Sequence, residues 1–516
     1  MITDNLPIGN QSFPLIRKNG LVYVDKTAEM YKLVRRTGGR YFLSRPRRFG
    51  KSLLVSTLES FYKGKRELFR GLAIDSLIPG EWPCREVLHI DFNLKKYDSA
   101  QSLHDSINRN LVAWEKEYGA NESEKDLTDR FGGVIQRAYE KSGKTVAILI
   151  DEYDKPILDC IDDEELMNAN RDTLRAFYGA MKSKDECIEI IFLTGVGKIG
   201  QINVFSGLNN IRDISMVEDF STLCGITEKE LHSHLHDGVE EVAGRFGITV
   251  DEAYQKLKAN YDGYHFATDL TDVYNPYSLL TALGNKDTGD YWYRTGTPTH
   301  LVKRLKQMEL PFPDIDGIYV SPTALMDGSV LEKDFIPFLY YTGYLTIKKC
   351  SPDRQLLTLG YPNGEVKRGF MNNLLSELTD APQPDTKIQL LAMYIEQGDL
   401  NRFFKTLKSF FSNIPYHIGK RNEAHFQYVV YCISEALSLE VQAEYLTSNG
   451  RIDLVIGTKT TIYVMEFKVD KSAKTALEQI SQKNYTIPFE TDGRKIVKVG
   501  ASFSSETGTL EEWQCE

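Results

Sequence analysis

Three short apolar runs organise the first two hundred residues. Arg40-Tyr-Phe-Leu-Ser44 reads as a strand. It leads through Arg45-Pro-Arg-Arg-Phe-Gly-Lys-Ser52 into a segment whose apolar residues Leu54, Leu58 and Phe61 recur at helical spacing. Thr145-Val-Ala-Ile-Leu-Ile-Asp-Glu-Tyr-Asp154 is continuously apolar until it ends in adjacent carboxylates, the pattern of a strand covered on both faces of a parallel sheet. Ile188 to Gly195 is a third such run, closing on the Thr194 hydroxyl. Glu228 to Asn260 has helical propensity with polar interruptions and predicts a small helical lid beside the sheet. From Tyr261 to Ser278 the chain is loop-rich, and its aromatics are read as packing ahead of base stacking. Asp316 to Ala381 mixes strand runs such as Tyr344–Lys348 with helix, which suggests a connecting module with a turn at Gly360–Gly364. Ala381-Pro-Gln-Pro-Asp385 reads as a short linker.

The last hundred residues give an ordered series. Glu423–Leu437 predicts a helix; Val441–Leu446, Arg451–Ile456 and Ile462–Lys468 predict strands; Lys474–Lys483 is helical again and Lys495–Gly500 a further strand. Residues two apart on a strand share a face, so Ile462, Val464, Glu466 and Lys468 point the same way. A hairpin through Gly457–Thr460 brings Asp453 opposite Glu466.

Length adds that 516 residues exceed one ordinary core. The expected division is 1–225, 226–380 and 381–516. No run of about 18 apolar residues predicts a membrane span, and the first residues lack the basic and apolar regions of a secretory signal. Seven cysteines stand singly, with no CxxC spacing, so a reducing cytoplasm is the expected setting. Net charge is 62 − 72 = −10, which by itself speaks against nucleic acid as a partner. Its distribution matters more. Lys32, Arg35, Arg36, Arg40, Arg45, Arg47, Arg48 and Lys51 form a basic stretch with no acidic residue among them, and they must face phosphate, nucleic acid or acidic neighbours.

Strand, loop, Gly-Lys-Ser and helix is the order a phosphate-binding loop needs. Backbone N–H groups of Arg47, Arg48, Phe49 and Gly50 and the helix N-terminus would cradle the phosphates of ATP. Lys51 would reach the β and γ oxygens, and Ser52 would hold Mg²⁺. The usual first glycine of GxxxxGK[ST] is Arg45 here. Asp151 would complete the Mg²⁺ shell and Glu152 would polarise the attacking water. Thr194 either senses the γ-phosphate or satisfies a neighbouring backbone group. In the C-terminal series, Asp453 and Glu466 would repel one another unless a proton or a cation resolves the conflict, and Mg²⁺ does so with oxygen ligands. Lys468 would stabilise developing charge or orient the attacking water. Glu423 is a candidate further ligand, with Glu435 as its competitor.

These stretches resemble a family of bacterial and archaeal AAA-ATPase-like proteins that carry a PD-(D/E)xK nuclease domain. The resemblance rests on Leu21–Thr27, Arg45–Ser52, Ile148–Asp154, Asn203–Asn210, Tyr261-Asp-Gly-Tyr264 and Tyr274-Asn-Pro-Tyr277, and it spans most of the chain. Within that family the Arg-Pro-Arg-Arg-Phe-Gly-Lys-Ser loop is the usual form. Gly450-Arg-Ile-Asp453, Glu466-Phe-Lys468, Gln479 and Tyr485 match its nuclease motifs. The resemblance implies an α/β protein: a P-loop AAA-type ATPase domain with a helical middle region, then a C-terminal αβββαβ PD-(D/E)xK nuclease-like domain. ATP hydrolysis coupled to a Mg²⁺-dependent phosphodiesterase acting on DNA, ahead of RNA, is the implied activity. An ATP-driven switch with an idle nuclease fold and a non-nucleolytic ATPase are the alternatives. Assembly into a homo-oligomer stays open, with Arg171, Arg175 and Arg212 as unranked arginine-finger candidates.

Overall fold

Apolar strands with no polar face need cover on both sides, and the N-terminal sheet meets that need. In the computed structural model, which describes residues 5–36, 38–197, 210–293, 316–327, 335–379, 385–412, 423–437 and 439–516, five strands form one parallel sheet. They are β1 (Gly39–Ser44), β2 (Val87–Asp91), β3 (Val146–Asp151), β4 (Ile188–Gly195) and β5 (Arg212–Asp213), in the order β2-β3-β4-β1-β5. Every residue of β1, β3 and β4 is buried. The strand carrying the phosphate loop therefore does not touch the one carrying Asp151; β4 lies between them. Register aligns Leu43 with Thr194 and Ile150 with Leu193, so the three strands end at the same edge. Crevices at such carboxyl edges are where ligands bind in open α/β sheets.

Compact packing divides the chain into two units. The first, Met1–Trp292 with Gly317–Asn363, holds this sheet. It also holds the helices Glu228–His234, His236–Phe246 and Val250–Tyr261, which share an apolar core of residues such as Leu231, Val239, Leu257 and Leu279. Thr227 and Thr249 each open a helix with a capping box closed by Glu230 and Glu252, a device that satisfies two orphan donors at once. A small antiparallel sheet, β6 (Ile318–Val320), β7 (Thr346–Cys350) and β8 (Leu357–Gly360), belongs to the same unit.

The second unit, Tyr293–Asp316 with Gly364–Glu516, is built on β9 (Glu440–Thr447), β10 (Gly450–Gly457), β11 (Thr461–Val469), β12 (Lys495–Phe503) and β13 (Leu510–Cys515). These lie in the order β13-β12-β11-β10-β9. β11 and β12 are parallel, joined through the helix Ala473–Gln482; the other neighbours are antiparallel. The helix Glu423–Ala436 precedes the sheet, so the expected αβββαβ order is present with one strand added. That strand, Leu510–Cys515, is polar and exposed at the edge, which is why the apolar pattern did not announce it. The stretch Asn203–Asn210 falls, up to residue 209, outside the described residues, as does most of the expected linker Ala381–Asp385.

Candidate functional sites

The helix Lys51–Tyr62 starts from Gly50, which is left-handed (φ 93°), and neither a side-chain cap nor an acidic residue occupies its first turn. Its orphan N–H groups are thus left for an anion. Arg48 is also left-handed (φ 68°), with its guanidinium 4.7 Å from the Tyr277 ring centre. The turn therefore takes its left-handed positions at Arg48 and Gly50, and no glycine is needed at 45.

Arg45 is 1% exposed and points away from the loop. It donates to the carbonyl oxygens of Ser44, Ser215 and Phe220, each at 2.8 Å, and lies 4.2 Å from the Phe266 ring centre. Burial lowers its pKa, and nearby groups, Asp213 among them, offset only part of the lost hydration. The basic stretch thus dissolves into separate tasks. Arg40 binds the Asp185 carboxylate at 2.9 Å and Lys32 meets Asp219, while Arg47 and Arg48 are exposed. Phe49 is buried edge-on against Tyr264 and Phe266, so only its backbone faces the loop's work. Of the aromatics in Tyr261–Ser278, Tyr264, Phe266 and Tyr277 thus pack on the loop, while Tyr261 and Tyr274 belong to the helical core.

Lys51 is buried with its ammonium 3.3 Å from Glu152 Oε1 and 3.1 Å from the Arg45 carbonyl. Glu152 itself is held left-handed (φ 52°) at the end of β3, a conformation that non-glycine residues adopt at some strain. Thr194 donates to Asp151 Oδ1 at 2.5 Å, so its hydroxyl serves the neighbouring carboxylate. Ser52 follows Lys51 in the first helical turn. Of the finger candidates, Arg175 contacts Asp172 on its own helix, Arg171 lies in that same helix, and Arg212 lies in β5.

One residue escaped the sequence reading. Asp154 is fully buried; its Oδ2 accepts the N–H groups of Val196 (2.8 Å) and Gly197 (3.0 Å), just beyond Thr194. Burial first, then the nearby Glu152 charge, raises its pKa to about 7. Its place in the Ile148–Asp154 stretch was the available signal, but nothing local says that it turns inward.

In the second unit, β10 and β11 pair as Leu454↔Met465 and Val455↔Val464. Continuing that register sets Asp453 across from Glu466. Asp453 instead accepts the Phe467 N–H on Oδ2 (2.7 Å) and the Gln427 side-chain amide on Oδ1 (2.9 Å). Gln427 comes from the helix Glu423–Ala436 and was not foreseen. Glu466, 1% exposed, is held by Lys468 at 2.9 Å and by the Gln479 amide, as alternation along β11 requires. Gly450 (φ 146°) is where a side chain would strike the Tyr485 hydroxyl, so its lack of one lets Tyr485 close on the Gly-Arg-Ile-Asp turn.

Glu435 does not reach this group: it pairs with Lys367 at 2.7 Å. Glu423 begins the helix one turn ahead of Gln427, and its side chain lies outside the described residues. Asp453 and Glu466 offer the hard oxygen donors that Mg²⁺ takes; among the described residues no group of three His, Cys, Asp or Glu side chains forms a metal cluster. Nor is any described helix long and apolar enough to cross a membrane.

With this geometry in view, two family descriptions match the chain: "Predicted AAA-ATPase" over residues 7–205 and "PD-(D/E)XK nuclease superfamily" over residues 421–513. A protein of Azotobacter chroococcum mcd 1, described as an uncharacterized protein in the vnfD 5′ region, is 34% identical over 524 residues. That alignment covers 99% of this chain and 98% of the relative.

Proposed function

The chain belongs to the predicted AAA-ATPase-like family and carries a C-terminal PD-(D/E)XK nuclease superfamily domain, and on that premise we propose that it couples ATP binding and hydrolysis to metal-dependent cleavage of DNA. The observation that carries the cleavage reading is the placing of Asp453 and Glu466, both buried and across from one another on β10 and β11, with Lys468 bonded to Glu466. A divalent cation held by these carboxylates, with Glu423 as a further candidate, would lower the pKa of an attacking water. Gln427 and the Phe467 amide orient Asp453, while Gln479 orients Glu466. Lys468 carries a positive charge that would offset the negative charge a phosphodiester gathers as it reacts.

At the nucleotide site, the backbone from Arg47 to Gly50 and the N-terminus of the Lys51 helix support phosphate, with Ser52 and Asp151 as the Mg²⁺ side. Phosphate oxygens arriving at Lys51 compete with Glu152 for its ammonium, so binding would release Glu152 to polarise water. Thr194 orients Asp151.

The test is incubation of the whole protein with plasmid and single-stranded DNA, with Mg²⁺ or Mn²⁺, with and without ATP. Metal-dependent nicking lost in Asp453→Ala supports the reading. ATP turnover with no cleavage of either DNA under any metal would reduce the second unit to an idle fold and the protein to an ATP-driven switch.

A further inference from the structure

The chain passes from the first unit to the second twice, after Trp292 and after Asn363, and neither residue has a part in the chemistry above. Trp292 is fully buried, and its indole N–H donates to the Arg47 carbonyl of the phosphate loop at 3.0 Å. Its ring meets Tyr344 edge-on at 5.3 Å. A Cβ at Gly343 (φ 91°) would stand 2.7 Å from Pro46 and 3.3 Å from the indole ring, so a side chain there would press on the loop and on Trp292 together. The Asn363 amide donates to the Asp262 carbonyl at 2.9 Å, two residues before Tyr264, which packs on Phe49.

A trans peptide is planar, with the C=O of one residue and the N–H of the next on opposite sides. Holding the Arg47 oxygen therefore fixes the direction of the Arg48 N–H, one of the donors that support phosphate. Arg47 and Arg48 lie in neither helix nor strand, so a side chain supplies the hold that a ladder of backbone bonds would give. Beyond each crossing the chain reaches one helix, Gly364–Thr379. Asn363 runs directly into it. Tyr293, the residue after Trp292, bonds its hydroxyl to Asn373 in that helix, and its ring closes on Gly369, where a Cβ would come within 2.5 Å of it. Lys367 of the same helix pairs at 2.7 Å with Glu435 of the helix Glu423–Ala436, which also brings Gln427 to Asp453.

We propose that Trp292 is a positioning residue of the phosphate loop, and that nucleotide occupancy reaches the second unit through it, by way of Tyr293 and the helix Gly364–Thr379. The inference rests on the phosphate-loop reading and deepens the coupling by naming the residues that carry it. Phosphate engaging the Arg48 N–H pins the Arg47–Arg48 peptide from its far side. The indole, bonded to that peptide's oxygen, then loses freedom, and Tyr293 loses freedom with it. Coupling of this kind needs a change in mobility and none in shape, and hydrogen exchange reads it.

The experiment combines calorimetry of ATP binding with hydrogen exchange of the full-length protein. In the wild type, saturating ATP is expected to slow exchange across Gly364–Thr379 at least about threefold; bound ATP without that change overturns the relay. Trp292→Phe keeps a ring beside Tyr344 but removes the donor, and is expected to weaken ATP about fivefold, the worth of one ordinary hydrogen bond. An affinity within about twofold of the wild type refutes the positioning role. At ATP concentrations that saturate the variant, the slowing is expected to disappear, an effect that lost packing alone would not produce; slowing of wild-type size sinks the relay. Tyr293→Phe is expected to bind ATP as the wild type does and to lose more than about half of the slowing. If Trp292→Phe does not fold, Tyr293→Phe decides: reduced slowing with normal binding upholds the proposal, and full slowing overturns it. Lys51→Ala tests the premise separately. Should it bind ATP like the wild type, the phosphate-loop reading fails and the proposal with it; should it lose ATP while the exchange result is negative, only the relay fails.

Discussion

Arg45 stands where the regular phosphate loop has glycine, and replacing it by that glycine is the most informative single change. Two of its bonds, to the Ser215 and Phe220 carbonyls at 2.8 Å, tie the end of β1 to the segment after β5. Hydrogen bonds to a charged group are worth about 1.5–3 kcal/mol each, so the pair contributes about 3–6 kcal/mol. The stacking on Phe266 adds about 0.5–2 kcal/mol. Against this, removing a buried guanidinium recovers hydration, the effect that lowers its pKa. The net loss for Arg45→Gly is then about 3–5 kcal/mol, the scale at which breaking a buried charged arrangement is felt. Arg45→Lys should fall almost as far, because an ammonium cannot fan three donors to carbonyls on different segments. Urea unfolding followed by tryptophan fluorescence measures this on the first unit's transition, with ATP binding measured in parallel on folded protein. The reasoning is refuted if Arg45→Gly is as stable as the wild type, or binds ATP more tightly because the consensus glycine has been restored.

Lys51→Ala should cut ATP affinity about a hundredfold through loss of the charge on the phosphates, whereas Glu152→Gln should bind normally and turn over slowly; equal binding by Lys51→Ala would show that the phosphate loop is misplaced. Asp154 takes up a proton on folding, since its pKa rises from the ordinary value to about 7. Its share of stability is therefore full below pH 4 and is lost as pH rises to 7. Asp154→Asn should be more stable than the wild type at pH 8 and equal to it at pH 4, read as melting temperatures; a pH-independent difference would contradict the burial argument. Mn²⁺ should raise the melting temperature of the wild type and of Lys468→Ala, but far less that of Asp453→Ala or Glu466→Ala. An identical shift in Asp453→Ala and wild type would remove the metal assignment. Gln427→Ala should weaken Mn²⁺ binding by a smaller factor, about fivefold to tenfold, as loss of a group that only orients a ligand does.

The signals legible in the sequence were local ones. Continuous apolar runs marked β1, β3 and β4, because a strand covered on both faces has no polar positions. Alternation placed Glu466 and Lys468 on one side of β11, because side chains of a strand repeat every second residue. Helical spacing marked Leu54, Leu58 and Phe61. Short or polar edge strands, such as Arg212–Asp213 and Leu510–Cys515, carried no such signal. Periodicity states which face is buried, never against what, and that gap was closed only by tertiary packing. It turned Arg45 inward from a loop that advertises phosphate binding, and it sent Glu435 to Lys367. It set β4 between the two motif strands, so that Thr194 bonds Asp151. It likewise brought Gln427 to Asp453 and buried Asp154. Each of those outcomes depends on residues tens to hundreds of positions apart competing for the same donors, a contest that has no counterpart in any local window of the chain.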